Sequence, residues 1–397
     1  MFMVTIRHIG MIDDPPIAHL YAHVPFCARK CAYCAFYSEA SDGATVNRYV
    51  ATLIREMELV AEDLRPRTVF FGGGTPSLLN RQQWERILKA MERLNLLGAA
   101  EWTVECNPAT VSADKAKLLR DWGVNRVSMG AQSFDAALLE RLGRIHSREM
   151  IFKSFDILRA AGFDNLNVDL MFAIPGQTME MWRKTLAEAI ALGSEHLSCY
   201  EVIYEEDTPL FEQLHAGKLS TDEALACAMY DELLSAAAEA GFHQYEVANF
   251  ARHFAVVPGE TPDHACRHNI NCWRGGSFYG LGPSAAGYVR GVRTKNVSNI
   301  TLYCSQLERG RRAIESSEEL TPLARAGEIA AFGLRMTAGW PLLQFRERTG
   351  FELHREWKKE INRMLDLGYG KLDRHRFQLT RRGLRYADWA AGEFLRS

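Results

Sequence analysis

Residues 19–34 read HLYAHVPFCARKCAYC, an apolar run that passes through Pro25 into a loop with three cysteines. The run predicts a β-strand, and apolar residues beyond the loop recur at helical three- and four-residue steps. Further apolar runs, each followed by a helical stretch, lie at 69–71, 102–105, 124–129, 166–170 and 196–202. This repeated strand–helix alternation predicts an α/β fold with a parallel sheet, either doubly wound or barrel-like.

A polar or glycine residue lies at or just beyond the C-terminal end of nearly every predicted strand. These residues are 72–75, Glu105, Gln132, Asp169 and Tyr204. In (β/α) barrels the C-terminal ends of all the strands form the reactive face together. A doubly wound sheet would place its ligands after a G-x-G-x-x-G turn, which this sequence lacks. We therefore expect a partial (β/α)6 TIM-like barrel, although each polar residue taken singly is equally typical of a helix cap.

Length, charge and cysteine content limit the classes of protein. The 397 residues suit two domains, and the net charge of −2 argues against a strongly basic nucleic-acid binder. No run of about 18 apolar residues is present, and the first residues lack the pattern of a secretory signal. Nine cysteines spread over a long chain are typical of a reducing compartment. We expect a soluble cytoplasmic protein.

The sequence pattern divides the chain into four segments. Residues 1–19 form an N-terminal extension, 20–245 carry the strand–helix units, and 246–317 form a connecting segment of weak periodicity. Residues 318–397 predict a C-terminal winged-helix-like domain with a two-stranded wing and a closing helix. Its arginines would suit DNA, but acidic residues interleave with them, so we expect no nucleic-acid partner.

Cys27, Cys31 and Cys34 form a C-x3-C-x2-C motif directly after the first strand. Three thiols within eight residues of a cytoplasmic chain indicate a metal site. Zinc in a structural site takes four ligands, so it would need a recruited residue such as His23. An iron–sulfur cluster is also held by thiolates and is the favoured interpretation.

At this motif the sequence resembles the radical SAM superfamily, whose hallmark is C-x3-C-x2-C. The resemblance implies that Cys27, Cys31 and Cys34 hold a [4Fe-4S] cluster whose fourth iron binds S-adenosylmethionine (SAM). It further implies an electron donor of the flavodoxin or ferredoxin type, and reductive cleavage of SAM to a 5′-deoxyadenosyl radical. The family's partial TIM barrel agrees with the strand pattern.

Further motifs resemble the HemN/HemW branch of that superfamily over nearly the whole chain. They lie at 21–27, 72–77, 105–108, 132–134, 142–146 and 167–171. The resemblance implies SAM contacts from Tyr21, Tyr33, Gly73, Gly74, Thr75, Pro76, Glu105, Gln132, Arg144 and Asp169. Glycine permits close approach of the backbone, carboxylates accept from hydroxyl or amino groups, and the arginine fork suits a carboxylate. Without the resemblance, Arg144 is typical of a solvated surface residue and Asp169 of a helix cap.

One position separates the two types within this branch. HemN-type enzymes, the oxygen-independent coproporphyrinogen III oxidases, carry a fourth cysteine two residues after the third, where this chain has Phe36. HemW-type proteins lack that cysteine, and the resemblance to them implies a haem carrier that delivers haem to membrane respiratory enzymes. The alternative is a HemN-like radical enzyme that decarboxylates a porphyrinogen, transfers a methyl group or forms a cyclopropane.

A second HemW-type signature, H-N-x-x-Y-W, reads His268-Asn-Ile-Asn-Cys272-Trp273 in this chain. His and Cys can both be axial haem ligands, so His268 and Cys272 are candidate haem residues. Ala286 lies in a glycine segment where such sequences usually have a histidine. Alternatives are a hydrogen-bonded loop histidine, a zinc site with Cys266, or buried thiols. The remaining cysteines, Cys106, Cys199, Cys227 and Cys304, are expected in the core.

Overall fold

A computed structural model describes the chain at residues 14–40, 42–253 and 261–396. Its largest element is a nine-stranded sheet with the order β7-β8-β6-β5-β4-β3-β2-β1-β9. Six neighbouring strands of this sheet are parallel: β1 (Ile17–Val24), β2 (Leu64–Gly73), β3 (Glu101–Cys106), β4 (Arg126–Gln132), β5 (Leu166–Phe172) and β6 (His196–Glu201). Of the expected N-terminal extension, residues 1–13 lie outside the described residues.

Helices connect these strands and cover the outer face of the sheet. They are α1 (Gly43–Val60), α2 (Arg81–Arg93), α3 (Ala113–Asp121), α4 (Ala136–Arg141), α5 (Arg148–Ala160), α6 (Met179–Ala191), α7 (Pro209–His215) and α8 (Glu223–Glu239). Large apolar side chains fill the layer between helices and sheet, including Trp84, Trp102 and Trp182, which are fully buried. The inner face of the sheet is polar, and residues at the C-terminal ends of β2 to β6 line one cavity. The predicted partial (β/α)6 barrel is therefore confirmed.

The chain after α8 extends the sheet at both edges. Strands β7 (Phe242–Gln244) and β8 (Asn249–Arg252) add antiparallel pairs beside β6. After the short helix α9 (Arg267–Trp273), strand β9 (Tyr279–Leu281) pairs in parallel with β1 at the opposite edge. The stretch of weak periodicity thus contains short elements whose partners lie far away in the sequence.

Two smaller antiparallel sheets follow. The first consists of β10 (Ala286–Val289), β11 (Val292–Asn296) and β12 (Ile314–Glu319), with α10 (Ile300–Glu308) between the last two strands. The second lies in the C-terminal domain, whose elements are α11 (Pro322–Gly333), β13 (Trp340–Pro341), α12 (Leu342–Thr349), α13 (Leu353–Glu356), α14 (Lys358–Asp366), β14 (Gly370–Leu372), β15 (Arg376–Leu379), α15 (Arg381–Leu384) and α16 (Ala387–Gly392).

The C-terminal domain has a hydrophobic core of its own. Trp340, Phe345, Trp357 and Phe377 are fully buried in it. The wing is the hairpin of β14 and β15, and the two-residue strand β13 adds a third strand that the sequence did not predict. The winged-helix-like prediction is otherwise confirmed. Among the helices of the described residues, none is long and apolar enough to cross a membrane.

Candidate functional site

Three backbone hydrogen bonds hold the cysteine loop at two residues, Cys27 and Ala32. At its base, Cys27 N–H donates to the carbonyl of Glu39 at 3.2 Å. At its centre, Ala32 N–H donates to the Leu142 carbonyl at 3.0 Å, and the Ala32 carbonyl accepts from Leu210 N–H at 2.9 Å. Because Leu142 follows α4 and Leu210 lies in α7, the centre of the loop is held against two segments that follow other strands.

The three cysteines face a cavity of about 500 Å³ at that end of the barrel. The cavity lining unites most of the residues predicted to bind the cluster and SAM: Cys27, Cys31, Tyr33, Cys34, Gly73, Gly74, Thr75, Glu105, Gln132, Arg144 and Asp169. Two predicted SAM residues are not among the lining residues. Pro76 is buried and begins the short 3-10 turn after β2. Tyr21 lies inside the barrel, where its hydroxyl and His23 Nδ1 are 3.0 Å apart and its ring packs against Phe70.

Gly73 and Gly74 are needed for the contact between the end of β2 and the cysteine loop. Gly73 has a φ of +103°, a left-handed conformation that favours glycine. A Cβ atom on Gly74 would lie 2.7 Å from the carbonyl oxygen of Phe26, one residue before the first cysteine. The sequence suggested close approach of the backbone to a ligand, whereas the structure shows close approach to the protein's own backbone.

Two carboxyl groups and one guanidinium group are buried in the cavity wall, whereas Arg29, Glu201 and Glu205 also line the cavity. Burial and the neighbouring Asp169 raise the pKa of Glu105 from 4.5 to about 8, and burial also raises the pKa of Asp169. Arg144 donates to the carbonyl of Gly130 at 2.5 Å and approaches the Cys31 sulfur at 3.4 Å. Its Nε has no hydrogen-bond partner among the described residues. Arg144 is therefore part of the cavity wall rather than a solvated surface residue.

This donor set fits the cofactors that the cysteine motif implies. A cationic group of a ligand would stabilise the ionised form of the buried carboxyl groups. A carboxylate of the ligand would pair with the guanidinium of Arg144. Within the described ranges, no three His, Cys, Asp or Glu side chains converge on a single metal ion, as zinc would require. The proposed fourth ligand His23 is engaged, because its Nε2 lies 2.9 Å from the carbonyl oxygen of Tyr37. Thiolates of a four-iron cluster bind separate iron atoms and need no common point.

His268 lies at the other end of the barrel. Its Nδ1 is 2.9 Å from the hydroxyl of Thr68, which lies near the start of β2. Since strands rise about 3.3 Å per residue, Thr68 is about 16 Å from Gly73 at the cavity. The imidazole is only 4% exposed and its ring centroid lies 5.4 Å from that of Phe70. The structure therefore does not bring His268 together with the three cysteines.

Helix α9, which carries His268, is held in place by Glu101 at the start of β3. The Glu101 carboxylate accepts from Arg267 N–H at 2.8 Å and from His268 N–H at 2.9 Å. Cys272 is partly buried on the same helix, and burial raises the pKa of its thiol to about 12. In this conformation His268 is enclosed, whereas Cys272 is partly exposed.

The other cysteines divide into three kinds. Cys199 and Cys304 are buried as expected, whereas Cys227 is exposed on α8, so its expected core position is wrong. Cys106 is buried but also lines the cavity, which the sequence did not indicate. Sequence reasoning also missed Asn167 and Ser128, which donate to Asp169 at 2.7 and 3.1 Å. Residues two apart in a strand point to the same face of the sheet, so the spacing of Asn167 and Asp169 could have indicated this contact.

The sequence matches known families in two regions. Residues 21–189 match the profile of the Radical SAM superfamily, and residues 320–386 match the HemN C-terminal domain. In overall fold, the chain is similar to the solved coproporphyrinogen III oxidase HemN from Escherichia coli. The TM-score is 0.80, with 20% identity and coverage of 96% of this chain and 90% of that one.

Fold and cysteine loop together define a radical SAM protein with a HemN-type C-terminal domain. The chain is 33% identical to a protein named heme chaperone HemW from Lactococcus lactis, over 97% of this chain and 98% of the relative. It is 32% identical to the protein of the same name from Bacillus subtilis, over 94% and 98% of the two chains. The chain therefore belongs to the HemW family, in the HemN/HemW branch of the radical SAM superfamily.

Proposed function

We propose that Cys27, Cys31 and Cys34 hold a [4Fe-4S] cluster and that SAM occupies the adjoining cavity. The observation that carries this proposal is the convergence of the cysteine loop, Arg144 and two buried carboxyl groups on one cavity. When bound, the cluster supplies the electron that SAM cleavage requires, received from a flavodoxin- or ferredoxin-type donor. The protein's own part is to orient SAM through Glu105, Asp169 and Arg144 and to limit access of water.

We also propose that the protein binds haem and passes it to a haem enzyme of a respiratory membrane, acting in the cytoplasm. The name shared by its near-full-length relatives and the absence of a fourth cysteine at Phe36 support this function. His268 and Cys272 remain candidate axial ligands. Because His268 is enclosed against Thr68, haem would reach it only after α9 separates from the barrel.

A haem titration of the anaerobically reconstituted protein, followed by the Soret band, tests this function. We expect a saturable shift at micromolar haem that weakens in His268→Ala. A wild-type protein without haem affinity in this range would exclude the haem function. A variant that binds as tightly as the wild type would exclude His268 as a ligand and leave the haem function standing.

A second candidate function is radical chemistry on a bound substrate. Its specific support is two apolar side chains that line the cavity and are nevertheless exposed, Phe36 at 67% and Ile203 at 62%. A ligand with apolar surface could cover these side chains beside SAM. Release of 5′-deoxyadenosine that depends on added porphyrinogen, or methyl transfer to it, would favour this function. A response to haem alone would count against it.

A further inference from the structure

Behind the cavity, a chain of buried hydrogen bonds crosses the barrel interior and ends at Asp169. Its central residue is Asn167, whose side-chain NH2 lies 2.7 Å from Asp169 Oδ1 and 2.7 Å from the Ser128 hydroxyl. The Asn167 carbonyl oxygen lies 2.6 Å from Nδ1 of His196. Since the NH2 group must face the carboxylate, the amide orientation of Asn167 is determined.

The remaining donors follow from that orientation. Nδ1 of His196 must carry its proton, because it faces the carbonyl oxygen of Asn167, so Nε2 is an acceptor. The Tyr245 hydroxyl lies 2.8 Å from this Nε2 and therefore donates to it. The same hydroxyl accepts from Cys266 N–H at 3.1 Å. Every link thus donates in one direction, from Cys266 to Asp169.

The two ends of this chain belong to different parts of the molecule. Asp169 lines the candidate SAM cavity, whereas Cys266 is the N-terminal cap residue of α9. Asn167 and His196 are buried, and Tyr245 is 2% exposed, so water does not replace a lost link readily.

We propose that Tyr245, His196 and Asn167 are positioning residues that hold Asp169 as an acceptor toward the cavity. SAM affinity would then depend on the position of the N-terminal end of α9, where Cys266 contacts Tyr245. This inference rests on the proposed binding of SAM. Without the Tyr245 hydroxyl, Nε2 of His196 is a buried acceptor without its donor, so the imidazole is held less firmly. The carbonyl oxygen of Asn167 then depends more on the Ser198 hydroxyl, at 3.1 Å, and the Asn167 NH2 group is positioned less firmly against Asp169. A carboxylate that loses a donor is protonated more readily. The titratable and charged groups that face Asp169 are Tyr33, Glu105, Cys106, Arg126, Arg144, Cys199 and Tyr200.

The test compares Tyr245→Phe with Tyr303→Phe in anaerobically reconstituted protein. Tyr303 is a matched control, since its buried hydroxyl donates to Glu56 at 2.7 Å, outside the chain of donors. We expect Tyr245→Phe to weaken SAM binding about three- to tenfold by calorimetry, and Tyr303→Phe to leave it unchanged. SAM binding in Tyr245→Phe should also fail at a higher pH on acidification than in the wild type, which a general loss of stability would not produce.

Asn167→Asp provides a second, isosteric variant in case the first does not fold. It replaces the donor by a carboxylate beside Asp169, so we expect a larger loss of SAM affinity and a further shift of the pH profile upward. Equal SAM affinity and equal pH profiles in wild type, Tyr245→Phe and Asn167→Asp would overturn this inference while leaving the proposed function intact. A wild-type protein that binds no SAM would overturn the proposed function itself, and this inference with it.

Discussion

At the scale of single residues, the cysteine loop offers a direct test of the cluster. Replacing Cys27, Cys31 or Cys34 by Ala removes one thiolate from a site that has only these three local cysteines. We expect each variant to lose its iron and its visible cluster absorbance after anaerobic reconstitution. Cys227→Ala is the matched control, since this cysteine is exposed on α8 and should keep both. A Cys31 variant that retained iron and colour would refute the assignment.

Glu105 should make the stability of the cofactor-free protein depend on pH. Its folded pKa is about 8, raised from 4.5 chiefly by burial. Between these values the folded carboxyl keeps a proton that the unfolded chain releases, so stability declines as pH rises. Glu105→Gln cannot titrate and should be spared this decline.

Urea unfolding of wild type and Glu105→Gln at pH 5 and pH 8 measures that difference. We expect the urea midpoint of Glu105→Gln, relative to that of the wild type, to be higher at pH 8 than at pH 5. Titrating groups remote from Glu105 are common to both proteins and cancel in the comparison, whereas Asp169, which interacts with Glu105, contributes to the difference. A constant difference between the two midpoints would argue against the raised pKa.

At the scale of elements, the turn after β2 and the cysteine loop are tightly packed against each other. A methyl group on Gly74 would meet both the Phe26 carbonyl and the Val24 carbonyl. We expect Gly74→Ala to lower stability by about 1–3 kcal/mol and to reduce cluster incorporation, because the loop must shift. Gly43→Ala, at the open start of α1 with no neighbouring atom within 4 Å, should do neither. Thermal unfolding and iron content report the two effects.

The first two N–H groups of helix α9 donate to a single carboxylate, that of Glu101. Glu101→Gln removes one of the two acceptor oxygens that hold Arg267 and His268. We expect faster hydrogen exchange confined to α9, measured by mass spectrometry. Glu308→Gln, which breaks an exposed ion pair with Arg48, should leave exchange in α9 unchanged. Unchanged exchange in Glu101→Gln would show that the cap does not hold the helix.

At the scale of the whole molecule, the cluster should act as a stabilising ligand. Its proposed ligands come from a loop that is bonded to residues 39, 142 and 210. A group that binds the folded chain and not the unfolded one raises the unfolding temperature. Removal of iron by a chelator should therefore lower the Tm of the wild type and leave that of Cys31→Ala unchanged. Equal shifts in both proteins would assign the effect to the chelator.

The sequence predicted the six parallel strands and the cysteine loop because both are local patterns. The observed strand boundaries differ from the predicted ones by several residues. For example, the strand predicted at 124–129 is β4, Arg126–Gln132. The burial of Arg144 and His268 was not predictable, since a polar residue in a barrel interior has the same local sequence as one at the surface. Strand β9 has only three residues and pairs with a strand at the far end of the chain, so no short window contains its signal.

The pairing of β9 with β1 sets an order of events during synthesis. Tyr279 is the register partner of Leu20. One edge of β1 therefore stays unpaired until more than 250 further residues have been synthesised. At 5–20 residues per second the ribosome needs on the order of 10–50 s for them. During that interval the nascent chain carries an unpaired strand edge next to three reduced thiols, a target for aggregation and oxidation. The sheet beside the cysteine loop is therefore complete only after residue 281 has been synthesised.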